Sequence, residues 1–140
     1  MKTLCFTGHR PNRLGGFYGE KAETIKKQLM DHIHDILKRA STVGITTIIT
    51  GGALGVDQFA ANAVIGYNKT SKIQPLGLIV ARPFPSFSER WPTKTQINFK
   101  HICESAYEVV DVSPDPYNVE KMDIRNKWMV DHSDVVVAIW

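Results

Sequence analysis

The feature that most restricts the fold of this 140-residue chain is an alternation. Short stretches that are apolar or β-branched throughout are separated by longer ones whose apolar residues recur at helical spacing. Thr46-Thr47-Ile48-Ile49-Thr50 is β-branched at every position, which suits a pleated strand and disfavours helix. Without polar alternation such a run reads as a strand covered on both faces. Thr3–Thr7, Leu76–Ala81, Tyr107–Val112 and the closing stretch 133–140 read the same way. Between them, Ile25, Leu29, Ile33, Ile36, Leu37 and Ala40 mark a helix from about Glu20 to Ala40, with Gly44 as its terminator. Further helices are expected over Asp57–Tyr67, within 88–106 with Pro92 in the first turn, and over Val119–His132. The pattern predicts a single α/β domain over residues 1–140. Its sheet is doubly wound, Rossmann-like and mainly parallel, with helices on both faces.

Composition sets outer bounds. Charged residues make up 22% of the chain and the net charge is +3. That is weaker than a dedicated nucleic-acid binder carries and tolerates an anionic small ligand. Cys5 and Cys103 stand apart in apolar surroundings, so both are expected to be buried thiols in a reducing compartment. No cysteine–histidine cluster has metal-ligand spacing, and neither a metal nor a resident cofactor is expected. The first apolar run is too short for a signal peptide and no stretch could span a bilayer. A cytoplasmic location is therefore expected.

In an open parallel sheet, ligands bind beyond the carboxyl ends of the strands, and the unusual motifs fall there. "TGGALGVD", residues 50–57, joins the second strand to a helix. Gly51, Gly52 and Gly55, with Ala53 between them, would let backbone amides and a helix N-terminus surround a phosphate. The Gly-Lys-Ser/Thr ending of the nucleotide P-loop is absent, and GxGxxG is not matched in full. Asp57 would cap the helix or hold a ribose hydroxyl.

"TGHRP" ends the first strand. Gly8, after Thr7, would let the chain turn over the rim and present His9 and Arg10 to a cleft. Arg10 could clamp a phosphate bidentately and His9 could donate a hydrogen bond or shuttle a proton. Pro11 should hold Arg10 in an extended backbone. After the third strand comes Arg82, a second cation at a strand end. The nearby Phe84, Phe87 and Trp91 suit core packing better than base stacking. In the last helix Arg125 shares a stripe with Met122 and Met129. Either its stem lies along the core edge or its head reaches the cleft.

Taken together, "TGHRP", "TGGALGVD" and "MxxRNxxMVDxSD" before an apolar strand resemble the YpsA-like branch of the SLOG superfamily. That superfamily includes the Lonely-guy cytokinin-activating phosphoribohydrolases and the DNA-processing protein A. The resemblance covers essentially the whole chain and implies a sheet that binds nucleotides or nucleotide-derived ligands. It implies Gly51, Gly52 and Gly55 as a phosphate loop and Arg125, in Met122-Asp123-Ile124-Arg125, as a cleft residue. Phosphoribohydrolases follow the last strand with a Pro-Gly-Gly-x-Gly-Thr-x-x-Glu loop that carries a catalytic glutamate, and YpsA-like proteins with a Gly-Gly-Thr loop. This sequence carries neither, and its terminal carboxylate would be an unfavourable neighbour for an anion.

The expectation is therefore a binding protein or sensor for a nucleotide-type small molecule. A phosphoribohydrolase-like enzyme using Arg125 and His9 is the alternative, and a single-stranded DNA-binding module ranks third. No membrane partner is expected, and homodimerisation is left open.

Overall fold

The computed structural model describes residues 2–16, 18–71 and 74–139. Among these residues five strands form one sheet: β1 (Lys2–Gly8), β2 (Ile45–Thr50), β3 (Gly77–Arg82), β4 (Glu108–Asp111) and β5 (Val135–Ile139). Four helices connect them: α1 (Glu20–Thr42), α2 (Val56–Thr70), α3 (Thr93–Ser105) and α4 (Val119–Asp131). A short 3-10 turn, Pro11–Arg13, precedes α1. The strand order is β4-β3-β2-β1-β5 and every pairing is parallel.

Strand alternation sorts the interior into two layers. Leu4 and Phe6 of β1, Ile48 of β2, and Leu78 and Val80 of β3 face Ile33 and Leu37 of α1, Ala60 and Val64 of α2, and Phe99 and Ile102 of α3. Cys5, Ile49 and Ala81 point the other way, onto Met129 of α4. This follows from chain direction. The first three crossovers step one way across the sheet, so right-handedness stacks α1, α2 and α3 on one face. The return from β4 to β5 reverses and carries α4 to the opposite face. Phe6, fully buried, anchors the larger layer, where truncation to alanine typically costs about 3–5 kcal/mol.

Element boundaries depart from expectation in small ways. Gly44, at φ +88°, does end α1. Pro92 stands one residue before α3 instead of in its first turn, because its ψ of 144° is extended. From there its carbonyl accepts the amides of Thr95 and Gln96. Cys5 is buried but Cys103 is only half-buried. Trp140, expected in the last strand, lies outside the described residues. No described helix is long and apolar enough to cross a membrane.

The order of the strands fixes where a site belongs. From β1 the chain builds outward through β2, β3 and β4, then returns to place β5 on the other side of β1. The switch point of the sheet is the carboxyl end of β1. "TGHRP" begins there, and "TGGALGVD" begins at the end of the adjacent β2.

Candidate functional site

Gly8 is the last residue of β1, and its φ is not among the positive ones. It does not make a turn, as the sequence led us to expect. Its hydrogen is needed for space: a Cβ there would lie 2.6 Å from the Ile139 carbonyl and 2.8 Å from the Val56 Cβ. The strand end is thus wedged between β5 and the start of α2. Thr7, one step back, pairs with Ala138 of β5. Beyond Gly8, the His9 amide donates to the Ile139 carbonyl at 3.3 Å and the His9 carbonyl accepts from the Val56 amide at 3.1 Å. Arg10 follows in extended backbone, φ −84° and ψ 168°, as Pro11 requires. Its side chain is exposed and makes no hydrogen bond or ion pair among the described residues.

The glycine-rich loop is braced from below. Buried Thr50 donates its hydroxyl to the Asp57 carbonyl at 2.7 Å, and its oxygen lies 3.4 Å from the Gly52 amide. Asp57 folds back so that Oδ2 accepts the Ala53 amide at 3.3 Å. Gln58 donates Nε2 to the Gly52 carbonyl at 3.1 Å. Gly52 (φ +74°) and Gly55 (φ +98°) occupy backbone that side chains rarely adopt. A Cβ on Gly55 would also collide with the His9 carbonyl. The amides of Gly52, Ala53 and Val56 are consumed by these bonds. Those of Leu54, Gly55, Asp57 and Gln58 donate to no protein acceptor among the described residues.

Arg125 approaches from α4 and is only 2% exposed. Its Nη1 donates to the Gly51 carbonyl at 2.6 Å and to the Ala81 carbonyl at 3.2 Å, and its Nε to Asn126 Oδ1 at 3.0 Å. The guanidinium carbon lies 5.6 Å from the Phe87 ring centroid. The head does reach the strand ends, where it grips the carbonyl of Gly51, just past β2, and that of Ala81 in β3. Gly51 separates this cation from Asp57: a Cβ there would lie 2.6 Å from Nη1 and 2.8 Å from Asp57 Oδ2. Burial lowers the Arg125 pKa, opposed by the Asp57 charge. Burial likewise pushes the Asp57 carboxyl up to about 6, against the pull of Arg125, the Ala53 amide and Arg10.

Arg82 does not join this group. Its Nε and Nη2 donate to the two carboxylate oxygens of Asp111 at 2.7 and 2.9 Å, a fork that occupies the guanidinium face suited to an anion. Phe84 and Phe87 are buried, and Trp91 packs on Phe87 and Phe99 with centroids 5.1 and 5.2 Å away. Phe84 and Phe87 are core, and Trp91 is partly buried against it. Among the described residues no three of His, Cys, Asp and Glu come together as a metal ion would require.

The structure therefore gathers Thr7, Gly8, His9, Arg10, Gly51, Gly52, Ala53, Gly55, Asp57 and Arg125 at one rim, while Arg82, at the end of β3, has its guanidinium engaged by Asp111. Sequence reading missed Thr50 and Gln58 as braces of the loop, although both adjoin the glycines it singled out.

Residues 4–140 match the family model described as the YspA SLOG family. The chain belongs to that family. A UPF0398 protein of Ligilactobacillus salivarius is 30% identical over 98% of this chain and 73% of its own length. A UPF0398 protein of Bacillus cereus is 28% identical over 100% of this chain and 74% of its own length. The uncharacterized SPbeta prophage-derived protein YoqJ of Bacillus subtilis is 28% identical over 83% of this chain and 71% of its own length. The family model spans both rim motifs and the Arg125 helix.

Proposed function

We propose that this protein binds a nucleotide or nucleotide-derived metabolite at the β1–β2 rim, as a sensor or binding protein. One observation carries the reading. Four unspent amides (Leu54 and Gly55 on the loop, Asp57 and Gln58 in the first turn of α2) lie beside the segment that presents Arg10, to which Val56 is hydrogen-bonded, and Arg10 is a cation without an ion-pair partner among the described residues. Amides at a helix N-terminus plus a guanidinium form the donor set that a phosphate group takes up. Each charge-assisted bond is worth about 1.5–3 kcal/mol. Arg125 supports the site by holding the Gly51 carbonyl in place. It is covered by the loop and reaches a ligand only through it.

The burial of Phe84 and Phe87 and the Arg82–Asp111 fork argue against a single-stranded DNA track along 82–91, which would need exposed rings and free cations there. Isothermal calorimetry of the chain with nucleoside monophosphates, ribose 5-phosphate and a thymidine oligonucleotide tests the reading. Binding of phosphorylated small molecules, lost or weakened in Arg10→Ala, supports it. Binding of the oligonucleotide alone, or of none of the three, refutes it.

A further inference from the structure

A cavity of about 170 Å³ opens beside the loop, between the Pro11–Arg13 turn, the first turns of α1 and α2, and α3. Leu54 and Gly55, two of the residues whose amides are unspent, form part of its wall. Its volume is below the roughly 300–1,000 Å³ of sites that enclose a whole small molecule. It suits one moiety of a ligand whose remainder lies over the loop.

The lining identifies that moiety. Leu14 and Phe59 give apolar surface, while Gln58, Asn62 and Asn98 bring three carboxamides into one small space. Gln58 is already engaged: besides its bond to Gly52, its Oε1 accepts from Asn98 Nδ2 at 3.1 Å. That bond leaves Asn98 Oδ1 as an acceptor. Asn62, one turn beyond Gln58 on the same face of α2, makes no hydrogen bond among the described residues. It offers a donor and an acceptor side by side. Glu23 and Lys26, both exposed at the mouth, are opposite in charge, so the polar chemistry inside the cavity is neutral. Neutral carboxamides against apolar walls match a planar ring bearing adjacent donor and acceptor, the pairing by which asparagine recognises the edge of a nucleobase.

We infer that this cavity takes the heterocyclic base of the ligand, read by Asn62 and Asn98, while the phosphate lies at the Leu54–Gly55 amides. The inference rests on the nucleotide reading above and adds the part of the ligand that sets selectivity. Calorimetry with the monophosphates AMP, GMP, CMP and UMP, with ribose 5-phosphate, and with the parent nucleosides tests it. At least one monophosphate should bind ten or more times tighter than ribose 5-phosphate. Asn62→Leu should bring that monophosphate down to the ribose 5-phosphate level while leaving ribose 5-phosphate itself unchanged. Asn98→Ala, at an exposed position on α3 that the fold does not need, should lower the same preference several-fold. If ribose 5-phosphate binds as tightly as every monophosphate, or Asn62→Leu weakens both alike, the base site is wrong and the phosphate reading stands. If no phosphorylated probe binds, the phosphate reading fails. The base site survives that result only if a nucleoside binds the wild type and is lost in Asn62→Leu.

Discussion

Arg125 donates Nη1 to the carbonyl of Gly51 at 2.6 Å, a bond between side chain and backbone across 74 positions of sequence. It ties the only described helix on its face of the sheet to the glycine loop on the rim. Its neighbour on the other side of Gly51 is the buried carboxylate of Asp57. A cation and an anion so placed hold the loop from beneath, and each lessens the cost of burying the other.

Removing the cation should therefore be expensive. Arg125→Met keeps the stem and its packing but leaves the Gly51 and Ala81 carbonyls and the Asp57 carboxylate uncompensated. A loss of about 3–5 kcal/mol is expected, read as a fall in the urea midpoint. Arg125→Lys should recover only part of it, because one ammonium cannot reproduce the guanidinium's bonds to Gly51, Ala81 and Asn126. A loss under 1 kcal/mol in Arg125→Met would show that the contact with Gly51 is incidental.

Two glycines, one on the loop and one inside α2, should respond in opposite directions. Gly55 sits at φ +98° with the His9 carbonyl where a Cβ would go. Gly55→Ala should cost about 1–3 kcal/mol through backbone strain alone, and should weaken phosphate binding by separating the two loops. Gly66 lies inside α2, and the nearest atom to an added Cβ is His34 Cε1 at 3.9 Å. Gly66→Ala should stabilise the protein by about 0.5–1 kcal/mol. Thermal denaturation of both variants checks the signs.

How much of this was legible beforehand depends on how local the cause is. The β-branched run 46–50 and the glycines after it announce a strand and a turn from adjacent residues alone, and the parallel sheet follows. Gly8 was recognised as special for the wrong reason. Its constraint comes from Ile139 and Val56, which only tertiary packing brings to it. Arg82 looked like a ligand cation because its partner, Asp111, stands on β4, 29 residues away. Arg125 was visible as a charge among methionines, yet its acceptor is a backbone carbonyl, which carries no sequence signal. Asn62 and Asn98 belong to no motif and come together only at the cavity where α2 meets α3.

The two strand-end arginines give a matched pair of tests. Arg10→Ala should reduce nucleotide affinity about tenfold or more with little change in melting temperature, because the side chain is exposed and packs on little core. Arg82→Ala should leave affinity within about twofold. It should cost at most about 1 kcal/mol of stability, as a partly exposed ion pair does. Calorimetry and thermal denaturation on both variants separate the roles, and the reverse pattern would move the anion site to the β3 end.

The pH dependence follows from Asp57. Its carboxyl rises from 3.8 unfolded to about 6 folded because burial disfavours the charge. The folded state therefore holds this proton more tightly than the unfolded state. Its stabilising contribution is fully present below pH 3.8 and is lost as pH rises through about 6. Two units at 1.36 kcal/mol each make this roughly 3 kcal/mol. Other carboxylates titrate in the same range, so the informative quantity is the difference between wild type and Asp57→Asn. That difference should shift against the wild type by roughly 2 kcal/mol between pH 4 and pH 6.5 and stay nearly level above. An anion on the loop would repel the ionised carboxylate and raise its pKa further. Sulfate, which keeps its charge across this range, should thus bind more tightly below pH 6 than above. The trend should vanish in Asp57→Asn. Sulfate binding that ignores pH in the wild type would place the anion away from the Leu54–Gln58 amides.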